Sequence, residues 1–242
     1  MEIKYFVIHN LDEERYLNST KLFKKYGVNI NDVIFINHPN KNELTYSIKK
    51  KSVQKNSKIK DGWISCSYKH YLALKNIVEN EIPLAVVMED NIGDFYEKVP
   101  NRIEKYLSEL PSNWDVVFDS VWSDYRLMNE ESVSNNKLVY KKSHEETFNA
   151  EGVRIAGGST RAAQFYLLNI EAAKKIYDNF LPFNHSVDMW LNEVLRKVNA
   201  NVYWSEPSLV VSKFNKTTST NISNKYFFYK VKSYVIDKIL GI

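Results

Sequence analysis

The chain reads as an α/β protein on three observations. Its first forty residues run strand, helix, strand, the opening expected of a nucleotide-binding half. A later apolar run, residues 82–88, is too short to span a membrane and reads as a strand buried on both faces. The composition, 44% hydrophobic and 14% aromatic over 242 residues, is that of a packed globule with room for one large domain.

Each element follows in order. Residues 4–9 are a strand leading into Asn10-Leu11-Asp12, where Asp12 is placed to cap a helix and Gly27 to end it in a left-handed conformation. Residues 32–37 are the second strand. There is no glycine-rich phosphate loop, so neither a dinucleotide fingerprint nor a P-loop is present. Residues 40–60 carry seven lysines against Glu43 alone and read as an exposed, mobile loop. It is either a solvated basic surface or a flap over an anionic ligand. A helix follows, with Ser65 or Ser67 as its cap and its N-terminus as an anion site. In it His70 is a buried core residue or a ligand contact, and Cys66 a small buried hydrophobe.

Beyond the apolar run, residues 99–110 are a helix and 114–119 a strand ending on an acid. Residues 123–150 are polar and irregular, an insertion able to face an acceptor, with an edge strand at 137–140. Gly157-Gly158 marks a sharp turn or a close backbone approach. Residues 164–168 are a strand and 171–177 a helix. Asp188 stands where a loop enters a helix over 189–198, either as its N-cap or as a carboxylate aimed into a crevice as a general base. Residues 202–204 and 208–212 are extended. Residues 222–242 form a basic amphipathic helix that packs on the domain or touches a membrane surface. Neither an internal repeat nor a linker is visible, so residues 1–242 are expected to form one domain.

Composition also excludes. No stretch approaches the ~20 apolar residues of a membrane span. The first residues lack a signal-peptide layout, and the single cysteine, Cys66, favours a reducing compartment. A cytoplasmic protein, with peripheral membrane contact as the alternative, is the expectation. A net charge of +4 does not point to a nucleic-acid partner.

The chemistry concentrates where the apolar run stops on Glu89, Asp90 and Asn91. That end emerges at the carboxyl edge of the sheet, where open α/β folds keep their ligand crevice. Two carboxylates there are costly without a metal ion or a proton between them. Mn²⁺ and Mg²⁺ prefer oxygen ligands and are often shared with substrate phosphates. The plain alternative is that Glu89 and Asp90 begin a loop.

The ordered set of motifs resembles glycosyltransferase family 25, the lipopolysaccharide-type β-glycosyltransferases that include the collagen galactosyltransferase domains. It comprises Asn10-Leu11-Asp12 with Arg15, then Ser65-Cys66-Ser67-Tyr68-Lys69-His70, then Glu89-Asp90-Asn91. Gly157-Gly158-Ser159, Tyr166-Leu167, Ala172-Ala173-Lys174-Lys175 and Ser186-Val187-Asp188 complete it. The resemblance implies a single GT-A-like, Rossmann-like domain with a mixed central sheet flanked by helices. It implies a nucleotide-sugar donor, usually a UDP-sugar such as UDP-galactose or UDP-glucose, a glycan or glycoprotein acceptor, Mn²⁺ or Mg²⁺, and inversion. It puts Glu89, Asp90 and Asn91 at the metal and diphosphate. Asn10, Leu11 and Arg15 fall near the nucleotide, Ser65 and His70 beside the donor, and Asp188 becomes the base. Two positions depart from the pattern: Asn91 replaces a third acid, and Lys69 replaces the serine before the histidine. The competing readings are a catalytically weak relative that only binds nucleotide or glycan, and a metal-dependent phosphoesterase, which needs more strand-end histidines than the chain has.

Overall fold

A computed structural model describes residues 2–120, 138–148 and 154–212. The opening unit comprises strand β1 (Lys4–Ile8), helix α1 (Glu13–Lys25) and strand β2 (Val33–Ile36). Asp12 caps α1 by accepting the Arg15 amide at 3.0 Å, and Gly27 follows with φ +77°, both as expected. The lysine-rich segment differs from expectation. It holds helix α2 (Tyr46–Ser52), which Thr45 caps by accepting the Ile48 amide at 3.2 Å. Ser52 closes its end by donating to the Ile48 carbonyl. A threonine cap three residues before an amide outweighs the disfavoured clustering of lysines, which point to solvent.

Helix α3 (Asp61–Glu79) starts a full turn earlier than the serines suggest, so Ser65 and Ser67 are interior residues and cap nothing. Strand β3 (Leu84–Glu89) is the expected buried strand, followed by strand β4 (Ile92–Phe95), which the sequence reading did not anticipate. Helix α4 (Val99–Glu109) leads to strand β5 (Val116–Phe118). The edge strand β6 (Val139–Lys142) is present, then strands β7 (Glu146–Phe148) and β8 (Arg154–Gly157), which pair with each other. Strand β9 (Phe165–Asn169), helix α5 (Ile170–Phe180), helix α6 (Val187–Lys197), strand β10 (Val202–Ser205) and strand β11 (Val210–Ser212) complete the described chain. The N-cap of α6 is Ser186, not Asp188, which lies in the first turn. The expected helix over 222–242 and most of the 123–150 insertion lie outside the described residues.

The main sheet has seven strands in the order β2-β1-β3-β9-β5-β10-β6. β1 runs parallel to both neighbours, β10 parallel to β5, while β9 is antiparallel to β3 and β5. The sheet is therefore mixed, as expected of a GT-A-like fold. A second small sheet pairs β11 with β4, bringing residues 210–212 beside the segment that follows Glu89.

Alternation along β3 explains why the run has no polar side. Ala85 and Val87 face the layer of α3, α5 and α6, whereas Val86 and Met88 face α1 and α4. Residues of a strand point to opposite faces in turn, so helices on both sides demand apolar residues at every position. Each fully buried valine contributes roughly 1.5–3 kcal/mol. That layering delivers the carboxyl ends of β1 and β3 side by side, with Ile8 opposite Glu89. None of the helices among the described residues is long and apolar enough to cross a membrane.

Candidate functional site

At the end of β1 the chain makes a tight exit. Leu11 takes φ 58°, a conformation uncommon for a residue with a Cβ. This turn aims the Asn10 amide at the Asp90 carboxylate (3.3 Å) and lets α1 carry Arg15 back over the strand ends. Arg15 Nη1 donates to Asp90 Oδ1 at 2.9 Å, and His9 Nδ1 lies 2.9 Å from Oδ2. Asp90 itself is held on the strand ladder by its amide, which donates to the Ile8 carbonyl. The Asp90 side chain is only 4% exposed, whereas Arg15 keeps 26% of its side-chain surface in solvent. Asn10, Arg15 and Asp90, separated by up to 80 residues in sequence, thus form one hydrogen-bonded unit.

Beneath it sits Lys69, fully buried on α3. Its ammonium donates to the His9 carbonyl (2.6 Å), Asn10 Oδ1 (2.9 Å) and Asn40 Oδ1 (2.8 Å). Three neutral acceptors satisfy its three protons, while burial pushes its pKa down to about 8, against the pull of the negative charges around it, Asp90 and Glu43 among them. Ser65 is elsewhere occupied. Its hydroxyl donates to the Pro39 carbonyl at 2.7 Å and ties α3 to the segment that follows the carboxyl end of β2.

Glu89 and Asp90 part company. Successive side chains on a strand face opposite ways, so Glu89 turns toward α3 with Asn91, whose Nδ2 donates to Glu89 Oε2 at 3.1 Å. The Asn91 carbonyl oxygen lies 3.4 Å from Gln164 Nε2. On the other side of Glu89, Cys66 Sγ stands 3.7 Å and His70 Nε2 3.8 Å from Oε1. His70 is fully buried, stacks on Tyr166 and bonds its hydroxyl through Nδ1 at 3.0 Å. Burial pushes the Cys66 thiol well up, assisted by the negative charges of Glu89 and Asp188 and opposed by Lys69.

Asp188 reaches this side from α6. Ser186 Oγ donates to its Oδ1 at 2.5 Å, and its carbonyl accepts from Thr160 Oγ1. The Gly157-Gly158 turn explains the placement. Gly158 has φ +82°, and a Cβ there would stand 3.0 Å from Asn192 Oδ1, the atom that accepts the Thr160 amide. The close approach inferred from the glycine pair is thus the docking of this turn on α6.

The expected metal set is not assembled. A hard cation wants converging oxygens, yet both Asp90 oxygens are engaged by Arg15, His9 and the Asn10 amide, and Asp90 faces away from Glu89 and Asn91. The residues do not fit direct ligation of Mn²⁺ or Mg²⁺ by Glu89, Asp90 and Asn91 together. His9 has no role in the sequence expectation, whereas Cys66 is expected there as a small buried hydrophobe and Lys69 as a departure from the family pattern. Only the one-turn spacing of Cys66 and His70 could have signalled a shared face.

The chain matches the model of glycosyltransferase family 25 (LPS biosynthesis protein) over residues 3–191. No curated protein sequence matches it. Among solved structures it is similar to 4-diphosphocytidyl-2C-methyl-D-erythritol synthase from Anaerococcus prevotii DSM 20548, at 8% identity and TM-score 0.45, covering 88% of this chain and 93% of that one. It is also similar to mouse xyloside xylosyltransferase 1 in its apo form, at 11% identity and TM-score 0.36, covering 83% and 71%. Likeness this distant says nothing of activity. The family match spans most of the sequence and every residue of the strand-end site, and the chain belongs to glycosyltransferase family 25.

Proposed function

We propose that this glycosyltransferase moves a hexose from a UDP-sugar, such as UDP-galactose or UDP-glucose, to a hydroxyl of a glycan or glycoprotein acceptor, with inversion. The observation that carries the reading is the fixed guanidinium of Arg15, clamped by Asp90 at the carboxyl ends of β1 and β3 yet still partly in solvent. A guanidinium has five N–H donors; Nη1 meets Asp90 and Nε stands 3.9 Å from Asp12, which leaves the Nη2 edge to meet the diphosphate. Negative charge builds on the departing nucleoside diphosphate, and a cation already held in place stabilises it without reorganising.

Asp188 acts as the base. It takes the proton of the acceptor hydroxyl as that oxygen bonds to the anomeric carbon and the bond from that carbon to the diphosphate oxygen breaks, the electron pair leaving with the nucleotide. The hydrogen bond from Ser186 Oγ orients its carboxylate. No step is assigned to a metal ion.

A second reading, binding without turnover, is favoured by Asn91 standing where the family pattern has an acid. One experiment separates them. Melting temperature is measured with UDP and a panel of UDP-sugars, and UDP release is followed with acceptor glycans, each with Mn²⁺, with Mg²⁺ and with chelator. UDP at a hundred times its Kd raises stability by about 2.7 kcal/mol. Asp188→Asn keeps that rise and loses roughly 10²–10⁴-fold in transfer rate. Stabilisation by UDP with no turnover on any sugar establishes the binding reading, and no response to any nucleotide overturns the donor site and leaves glycan binding alone.

A further inference from the structure

Cys66 and His70 lie one turn apart on α3 and project on the same face, toward the Glu89 carboxylate at the end of β3. We propose that Cys66 Sγ, His70 Nε2 and Glu89 Oε1 form a three-ligand site for a borderline divalent cation of the zinc type. This site shares Glu89 with the Mn²⁺ or Mg²⁺ set that the strand-end acids suggest but takes its other two ligands from α3.

Four observations carry it. The three ligand atoms all lie within 4.8 Å of one another, the two Glu89 separations being 3.7 and 3.8 Å. Zinc bonds of about 2.3 Å to sulfur and about 2.0 Å to nitrogen and oxygen span tetrahedral edges of roughly 3.3–3.5 Å, so a small side-chain adjustment closes the cage. His70 Nε2 is buried and has no hydrogen-bond partner, an expensive condition for a polar atom without a ligand. Its ring is already oriented for ligation. When Nδ1–H donates to the Tyr166 hydroxyl, the lone pair of Nε2 points at the Glu89 side of the site. Asn91 does the same for the carboxylate, occupying Oε2 and leaving Oε1 for the cation.

The donor chemistry selects the ion. One thiolate, one imidazole and one carboxylate suit zinc and its neighbours, whereas Mg²⁺ favours oxygen alone. Thiolate and carboxylate together neutralise the dication, and the thiol proton passes to solvent on binding. Glu89 remains 22% exposed, so the fourth position opens toward the strand-end crevice, the pattern of a site that keeps one place for water or substrate.

The test uses metal ions without nucleotide, so its failure leaves the donor reading standing and failure of UDP to bind leaves this site standing. Purified, chelator-stripped protein is titrated with Co²⁺ and then Zn²⁺. The expected result is one equivalent of Co²⁺ with a sulfur-to-metal charge-transfer band in the near ultraviolet, bleached by Zn²⁺, and a Zn²⁺-dependent rise in melting temperature. Mg²⁺ is expected to leave the melting temperature unchanged. Cys66→Ser abolishes the band, and Glu89→Gln keeps it while weakening Zn²⁺ at least tenfold; circular dichroism of both stripped variants confirms that they fold. A folded wild-type protein without the band, or equal stabilisation by Mg²⁺ and Zn²⁺, overturns the site. Zn²⁺ binding unchanged in Glu89→Gln and in Cys66→Ser does so too.

Discussion

Asp90 and Asp119 occupy equivalent places, each one residue past the carboxyl end of a strand, β3 and β5, and both are almost completely buried. Their partners differ. Asp90 is met by Arg15, His9 and the Asn10 amide. Among the described residues Asp119 is met by neutral donors, the hydroxyls of Tyr106 and Ser205 and the Leu209 amide, with Arg102 one step behind through Tyr106. Burial therefore pushes the Asp119 carboxyl up to about 6, its hydrogen bonds pulling the other way. The first acid holds a cation at the crevice. The second latches the chain between β10 and β11, where Arg102 also grips the Pro207 carbonyl and Ser208 bonds the Asp119 carbonyl. A strand ending on an acid is thus one local pattern with two uses, and the partners decide which.

The contrast is open to attack. Asp90→Ala strips a buried, charge-paired site of its anion and is expected to cost about 3–5 kcal/mol. It should also abolish stabilisation by UDP, because Arg15 loses its anchor. Denaturant melts of the variant with and without UDP check both; a variant that still responds fully to UDP removes Asp90 from the donor site.

Asp119 supplies a pH signature. Its folded pKa is raised, so its contribution to stability is fully present below the unfolded value of 3.8 and is lost as pH rises through about 6. The difference in unfolding free energy between wild type and Asp119→Asn should shift by about 2 kcal/mol from pH 4 to pH 7. Urea midpoints across that range test it, and a pH-independent difference would show that burial does not raise the Asp119 carboxyl.

Tyr106→Phe removes the hydroxyl shared by Asp119 and the Arg102 Nε donor. A loss of about 1–2 kcal/mol is expected, with no change in UDP affinity. Arg15→Lys is the mildest for the fold, within about 1 kcal/mol, because the charge remains and the site is partly solvated. It is nevertheless expected to weaken UDP by tenfold or more, since an ammonium cannot hold Asp90 and the diphosphate in one plane. Equal UDP affinity in the two proteins would reduce Arg15 to a structural residue.

Some of this was legible in the chain itself. The apolar run of β3, the Asp12 cap and the left-handed Gly27 follow from local rules, and each is found where expected. Strand β4 was not legible: Ile-Gly-Asp-Phe has little strand propensity and exists because β11, more than a hundred residues later, pairs with it. Helix α2 was hidden by its lysines, and α3 by serines that resemble caps but lie inside it. The split between Glu89 and Asp90 was available from two-residue alternation alone, and shared acidity obscured it.

The sequence by itself determined the α/β class, the strand that carries the acids, and the family. Periodicity, capping and motif order are local properties that survive in a linear string. The tertiary structure alone decided that β9 enters antiparallel between β3 and β5, that Lys69 is buried on three carbonyl-type oxygens, and that Asp90 joins Arg15 while Glu89 joins Cys66 and His70. Those outcomes rest on pairings between residues 19 to 85 positions apart, whose energies come from burial and charge that exist only once the sheet has closed.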